Sequence, residues 1–198
     1  MESSPPSRDP AFTRRQLKIA ARKEFNAAGY FATDTNKIAR SAGYSAGTFY
    51  RHFKDKLELF IEVYRDWHWD QMQEIERALL LGGTVDEMSI RMADIILQFY
   101  SHWKTFRASA RVLALSEPRA SQFKSSRRAE LVESINATRS RLNFPMLPIK
   151  DLVTFLIFIE RLADAIIDGE YAQFGLGEEV AKEELKHLIR NFLAPPLG

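Results

Sequence analysis

TNKIARSAGYSAGTFYRHF, residues 35–53, reads as two short helices joined by a tight turn. Ile38 gives the first helix an apolar face, and Asp34, just before it, is suited to cap its amino terminus. Gly43 offers the backbone freedom that ends this helix, and Ser45 is suited to cap the next one. Two short helices in this arrangement predict a helix-turn-helix.

The second helix of this pair divides into an apolar and a polar side. Phe49 and Phe53 suit a protein core. The polar side offers hydroxyl groups and cations, which suit phosphates and the edges of bases. Its members are Thr48, Tyr50, Arg51 and His52. The helix is therefore predicted to read DNA.

A spaced set of positions extends the motif on both sides. The set comprises Leu17, Ala20, Ala21, Phe25, Gly29, Tyr30, Thr33, Ile38, Ala39, Ala42, Gly43, Ser45, Gly47, Thr48, Tyr50, Phe53, Lys56, Leu57 and Phe60. With these residues the segment resembles the amino-terminal signature of the TetR family of transcriptional regulators. A spaced pattern of this length is highly specific, although it covers only the amino-terminal part of the chain.

The resemblance implies which residues face DNA. Thr48, Tyr50 and Arg51 are the foremost candidates, and Tyr50 is the first among them. The full set that the resemblance implies is Thr35, Lys37, Ser45, Ala46, Gly47, Thr48, Tyr50, Arg51, His52 and Lys56. Ala46 stands where a Lys is common in the family, so one expected cation is missing.

Helical spacing of apolar residues continues along the chain, and no strand pattern interrupts it. Thr13 is expected to cap the first helix, and a capping box at Asp55 and Glu58 opens a long helix that connects the motif to the rest. A second capping box, from Thr84 to Glu87, opens the helix after the long one. The predicted helices cover residues 13–28, 56–79, 85–103, 104–115, 120–142, 152–167 and 180–193. The expected fold is all-α: an amino-terminal three-helix domain with the helix-turn-helix, joined by a long helix to a helical bundle for ligand binding and dimerisation.

Three regions are expected: a disordered arm over residues 1–12, the DNA-binding domain over 13–54, and the ligand-binding and dimerisation domain over 55–198. Charge supports this division, because residues 1–60 contain 11 Lys and Arg against 6 Asp and Glu, while residues 61–198 contain 17 against 20. A basic amino-terminal third suits phosphates, although a solvated charged surface gives the same count.

Composition excludes several classes of protein. The chain has no Cys, so it contains neither a disulfide framework nor a thiolate metal site. No apolar run reaches the roughly 20 residues that a membrane span needs, and the first residues lack the apolar core of a secretory signal. A cytoplasmic protein that makes no use of the membrane is the simplest expectation.

The segment from Leu152 to Ile167 is apolar around most of its circumference. Such a helix needs cover on two sides, and a second copy of the chain is the simplest cover for the outer side. A helix wholly buried inside a monomer is the alternative. The residues predicted at the homodimer interface are Phe155, Ile159, Leu162, Ile166, Leu188 and Phe192.

Large rings are concentrated after residue 60, where they form either a core or an apolar pocket. The family resemblance implies a small-molecule effector, whose identity the sequence leaves open. The residues predicted to hold an apolar or amphipathic effector are Phe99, His102, Trp103, Phe106, Arg107 and Phe123.

The predicted function is a ligand-responsive regulator, a repressor that binds an inverted-repeat operator in double-stranded DNA as a homodimer and is released by its effector. A DNA-binding regulator without a small-molecule effector, controlled by a protein partner or by its abundance, is the alternative. An enzyme is the third class, and no catalytic residues or cofactors are expected, because the chain lacks GxSxG and HExxH motifs. Asp66, His68 and Asp70 are a weak metal candidate, because His68 points away from the other two.

Overall fold

A computed structural model describes residues 9–194, and every regular element within them is helical. The elements are α1 (Pro10–Ala28), α2 (Thr35–Ser41), α3 (Ala46–His52), α4 (Lys56–Leu80), α5 (Val85–His102), α6 (Lys104–Ser116), α7 (Pro118–Arg141), α8 (Ile149–Asp168), a 3-10 turn (Glu170–Phe174) and α9 (Glu178–Leu193). The all-α class and the amino-terminal three-helix domain are confirmed. No helix in the described part of the chain is long and apolar enough to cross a membrane.

The first helix begins earlier than the sequence predicted. Asp9, not Thr13, is its cap, because the Asp9 carboxylate accepts a hydrogen bond from the backbone N–H of Ala11 at 2.9 Å. Pro10 follows directly, at a position where its missing N–H costs nothing. Residues 10–12 of the predicted disordered arm are therefore helical, and residues 1–8 of that arm lie outside the described residues.

The chain forms two compact units. Within the described residues, the first contains 9–68 and 103–121, and the second contains 69–102 and 122–194. The sequence had assigned residues 55–68 and 103–121, which include the start of α4 and all of α6, to the second domain. The functional division into a DNA-binding and a ligand-binding domain stays a prediction.

Aromatic rings form much of the core of the first unit. The ring of Phe60 in α4 meets that of Phe25 edge-on at 5.2 Å and stacks on Phe106 of α6 at 4.6 Å. Phe106 also meets Trp103 edge-on at 5.4 Å. Trp67, Phe106 and Trp103 are buried. These contacts join α1, α4 and α6 through one continuous apolar cluster.

In the second unit, α8 packs on α5 and α9 with one side and leaves the other uncovered. Phe155, Ile159 and Ile166, predicted at a dimer interface, are buried within the chain itself. Ile157 and Phe158 are instead 38% and 56% exposed. The sequence could not tell the two sides apart, because α8 is apolar on both and helical spacing alone does not say which side turns inward.

Candidate nucleic-acid interface

Local capping builds the α2–turn–α3 unit as the sequence predicted. The Asp34 carboxylate accepts from the backbone N–H of Lys37 at 2.8 Å, and the Ser45 hydroxyl accepts from that of Thr48 at 3.3 Å. Gly43 lies between the helices at a φ of 78°, a conformation that costs glycine little and other residues more. These three predictions are confirmed.

The inner side of α3 is anchored by two phenyl rings. Phe49 and Phe53 are 0% and 1% exposed, and their rings lie 5.8 Å apart. The guanidinium of Arg14, on α1, lies 4.1 Å above the Phe53 ring and donates to the carbonyl of His52. Arg14 is also paired with Glu62 of α4. The buried rings of Phe49 and Phe53, together with the contact of Arg14 with the His52 carbonyl, therefore fix the orientation of α3.

The outer side of α3 presents Tyr50 to solvent. Its side chain is 58% exposed, and its hydroxyl lies 3.1 Å from that of Thr35 at the start of α2. The Phe49 ring meets the Tyr50 ring edge-on at 5.2 Å. The phenol is thus held between the two helices, with the hydroxyl at the surface, where a phosphate oxygen can reach it.

A chain of hydroxyl groups runs along the same outer side. The hydroxyls of Ser45 and Thr48 lie 3.1 Å apart, and the Arg51 guanidinium donates to the Thr48 hydroxyl at 2.9 Å. Arg51 is exposed, and so is Gly47, whose position leaves the backbone open to close approach. Ala46, half-buried, supplies no cation here. The arrangement offers one guanidinium and several hydroxyls to a single surface, suited to phosphate and base contacts.

His52 contributes less charge than its residue type suggests. Burial, together with the guanidinium groups of Arg14 and Arg51, lowers the pKa of His52 below its usual value. The imidazole is therefore mostly neutral near pH 7, and it offers a hydrogen bond to DNA more readily than a positive charge.

Two lysines that the family resemblance predicted to face DNA already form contacts within the protein. Lys37 pairs with Glu24 at 2.9 Å, and this contact lowers the pKa of that carboxyl. The Lys56 ammonium donates to the carbonyls of Tyr30 and Thr33 at 2.8 and 2.7 Å. It also lies 4.0 Å from the centre of the Tyr30 ring, and burial lowers its pKa. Lys56 thus fastens the loop between α1 and α2 to the start of α4.

Three basic residues of α1 contact the rest of the protein, whereas Arg15 and Lys23 are exposed. For four basic residues near the start of this helix, the sequence left open whether they reach phosphates or are only solvated: Arg14, Arg15, Lys18 and Arg22. Lys18 pairs with Asp66 of α4 at 2.6 Å, and the Arg22 guanidinium lies 4.6 Å from the centre of the Trp103 ring. Together with the contacts of Arg14, these interactions join α1 to α4 and α6.

Sequence reasoning missed the link between α7 and the start of α4. The guanidinium of Arg119 donates to both carboxylate oxygens of Asp55, at 2.9 and 2.7 Å, and lowers the pKa of Asp55. Asp55 also accepts from the backbone N–H of Glu58 at 2.8 Å, as its predicted capping role requires. Nothing near either residue signals their pairing, since 64 positions separate them.

The six residues predicted to hold an effector are divided between the two units. Trp103, Phe106 and Arg107 belong to the first unit, where all three are buried and the Arg107 guanidinium lies 4.9 Å from the centre of the Trp67 ring. Phe99, His102 and Phe123 belong to the second unit. In residues 9–194 no three His, Asp or Glu side chains converge as metal ligands, so the Asp66, His68 and Asp70 hypothesis gains no support.

The comparisons with known proteins concern both the motif and the fold. Residues 19–63 match the family profile described as bacterial regulatory proteins, tetR family. Over 130 residues the chain is 26% identical to the uncharacterized HTH-type transcriptional regulator YdgC of Bacillus subtilis, an alignment that covers 63% of this chain and 65% of YdgC. Over 90 residues it is 36% identical to the HTH-type transcriptional activator FasR of Mycolicibacterium smegmatis, which covers 45% of this chain and 41% of FasR. The chain therefore spans less than two-thirds of the length of either relative.

The fold is similar to that of solved regulators over nearly the whole chain. A transcriptional regulator from Rhodococcus sp. Rha1 superposes with a TM-score of 0.67, at 16% identity, over 91% of this chain and 95% of the other. At this level of identity the likeness establishes the shared architecture.

Proposed function

This chain belongs to the TetR family of bacterial regulatory proteins, and we propose that it regulates transcription by binding an operator in double-stranded DNA through α3. The observation that carries the proposal is the division of α3 into two sides. Phe49 and Phe53 are buried beneath it, while Tyr50 and Arg51 are exposed on its outer side. A short helix with a polar outer side, held on an apolar base, fits the major groove.

Two substitutions on α3 test this proposal. Tyr50→Ala should weaken binding to every duplex, because the phenol reaches a phosphate that all sequences share. Arg51→Ala should in addition narrow the difference between an operator and a scrambled duplex, since a guanidinium can read guanine. Fluorescence anisotropy titrations on both duplexes measure the two effects.

Matched controls come from the second unit. Phe174→Ala removes an aromatic side chain that is 81% exposed, and Arg141→Ala removes an exposed guanidinium. Neither should change DNA affinity. If Tyr50→Ala and Arg51→Ala also leave both isotherms unchanged, α3 does not contact DNA.

The proposed regulator acts as a homodimer, so that two copies of α3 enter successive major grooves of an inverted repeat. The exposed Ile157 and Phe158 of α8 support a contact between copies at this side, since a large exposed apolar patch favours association. Of the residues predicted at the interface, Leu162, Leu188 and Phe192 are half-buried within one chain and retain surface for a partner. Sedimentation of Phe158→Glu tests the contact, and a dimer that persists unchanged would contradict it.

We further propose that a small molecule controls DNA binding by its different affinity for the DNA-binding and the released conformations. The burial of Trp103 and Phe106 in a ring cluster favours a core role for these two side chains. Phe99, His102 and Phe123, in the second unit, remain the candidates of the original set. α4 contributes residues to both units and is the proposed route between them.

We propose that the chain represses transcription and that the effector relieves this repression. FasR, which is similar over part of this chain, is described as an activator, so a reporter gene provides the direct test. Deleting the gene that encodes this chain should raise expression of a reporter gene placed under its operator. A fall in expression would instead assign it the role of an activator.

A further inference from the structure

We infer that the inward side of α7 binds the anionic group of an amphipathic ligand, and that the chain's effector is therefore a carboxylate or phosphate ester with an apolar tail. This inference rests on the proposed effector response, and it assigns a site outside the six residues predicted from the sequence. The proposed site consists of Lys124, Arg127 and Arg128, with Glu160 of α8 opposite.

The three cations occupy one side of α7, because they are spaced by three and four residues. Their side chains are only 23%, 15% and 32% exposed, in sequence order. Cations on the surface of a helix normally extend into water. These three instead lie largely shielded within the second unit, where a charge interacts more strongly with an oppositely charged group.

The acidic groups near these cations lie on both α7 and α8. Glu160 is 18% exposed, and its two carboxylate oxygens each take one cation, Lys124 and Arg128, both at 2.7 Å. Asp164 lies one turn further along α8, on the same side and also buried. Arg127 pairs with Glu130, which is 59% exposed and lies on α7 itself. One shared carboxylate thus bridges α7 and α8.

Arg127 pairs with Glu130 but has one donor that is not satisfied. Its Nε–H is shielded from solvent and has no hydrogen-bond acceptor among residues 9–194. A buried donor without an acceptor costs roughly 1–3 kcal/mol, so such groups are normally paired. An anion placed at this guanidinium would supply the acceptor, and Arg is the residue best suited to bind carboxylates and phosphates through two parallel hydrogen bonds.

The same side of α7 continues as an apolar surface. Leu131, Val132 and Ile135 follow the cations at helical spacing, and all three are half-buried. Between residues 122 and 141 only Phe123 and Arg139 are buried, so the middle of α7 is loosely covered. From Arg128 to Ile135 the helix rises by about 10 Å, which suits an apolar tail of about ten carbons.

Long polar side chains hold α7 to the rest of the second unit at both ends of residues 124–141. Lys124 and Arg128 reach Glu160 at one end. At the other, Arg139 donates to the carbonyl of Phe192 at 2.8 Å, and Arg141 pairs with Glu76. Attachment by flexible side chains allows α7 to shift when an anion replaces Glu160 as the partner of the cations.

The test uses the full chain and four ten-carbon probes below the concentrations at which they form micelles: decanoate, decyl phosphate, decanol and decyltrimethylammonium. Calorimetric titration should detect binding of one or both anions, and the stronger of the two identifies the head group. The neutral and cationic probes should bind at least tenfold more weakly. Equal affinity for decanol, or no binding of either anion, would overturn the inference.

Substitutions then locate the site. Arg127→Gln and Arg128→Gln should each weaken binding of the anion about tenfold. Lys150→Gln, which removes an exposed cation at the start of α8, should leave it unchanged. Glu160→Gln should strengthen binding, because it frees two cations for the ligand, whereas a purely structural ion pair predicts no gain. Weaker or equal binding by Glu160→Gln, or unchanged binding by both arginine variants, would refute the site.

The same preparations are titrated with operator DNA. If DNA binds and the anions do not, the inference fails while the DNA-binding proposal stands. If the anions bind at Arg127 and Arg128 and no DNA is bound, the proposed function fails instead.

Discussion

Aromatic and basic residues occur both on the outer side of α3 and in the part of the protein against which its inner side packs. Their surroundings differ between the two regions. Outside, Tyr50 and Arg51 are exposed and form hydrogen bonds with neighbouring hydroxyls. Beneath, Phe49 is buried, and the cations Arg14 and Lys56 already donate to backbone carbonyls. A basic residue near the helix-turn-helix is therefore a candidate for DNA contact only if its donors are not already used within the protein.

The first and largest expected effect separates the two sides of α3 itself. Phe49→Ala should lower the free energy of unfolding by about 3–5 kcal/mol, because it empties a fully buried site. Tyr50→Ala, at the next position, should change it by less than about 1 kcal/mol, since the ring is mostly exposed. Urea denaturation measures both. Equal losses would show that the two aromatic residues do not lie on different sides.

The second prediction concerns Lys56, which the family resemblance predicted to face DNA. Lys56→Met should lower the free energy of unfolding by about 1–3 kcal/mol, because two carbonyls lose their donor. The salt dependence of DNA binding should stay unchanged, whereas loss of a phosphate contact would reduce its slope by about one.

Lys54→Met is the matched control for Lys56→Met. Lys54 is exposed and lies two residues away. Its substitution should leave stability unaltered. If the Lys56→Met variant is as stable as the unsubstituted chain and its DNA binding depends less steeply on salt concentration, Lys56 contacts DNA.

The smallest expected effect is the pH dependence of the Asp55–Arg119 pair. Because Arg119 lowers the pKa of Asp55 in the folded chain, the pair stabilises the protein above the unfolded carboxyl pKa of about 3.9, and the stabilisation is lost as pH falls through the folded value. Both side chains are about 40% exposed, so the contribution is below about 1 kcal/mol.

Arg119→Gln should therefore be slightly less stable than the unsubstituted chain at pH 7 and equally stable well below pH 3.9. Denaturation across this pH range is measured for Arg119→Gln, for Asp55→Asn and for the double variant. The resulting double-mutant cycle gives the interaction free energy of the Asp55–Arg119 pair. A difference that is the same at all pH values would mean that Arg119 acts through packing and not through its charge.

The sequence predicted local structure better than it predicted partners. Asp34, Ser45 and Gly43 act within a few residues, so their roles follow from capping rules. Lys56 contacts residues 23 and 26 positions away, and Arg119 contacts a residue 64 positions away. Only the folded chain brings such residues into contact with each other. The direction of α8 was likewise open, because both of its sides are apolar.

The same reasoning separates α7 from α3. Both helices carry Arg, but α3 turns Arg51 to solvent while α7 keeps Arg127 largely shielded. An exposed cation beside hydroxyls suits an extended polymer of phosphates. A shielded cation with a donor to spare suits a single small anion.

Footprinting of the purified chain on the DNA upstream of its own gene tests the central claim, that α3 reads duplex DNA. The account predicts a protected inverted repeat, with half-sites centred about 10 base pairs or a small multiple of that apart. It also predicts that the Tyr50→Ala, Arg51→Ala double variant protects nothing at the same concentration. Protection that the double variant reproduces in full would contradict the account.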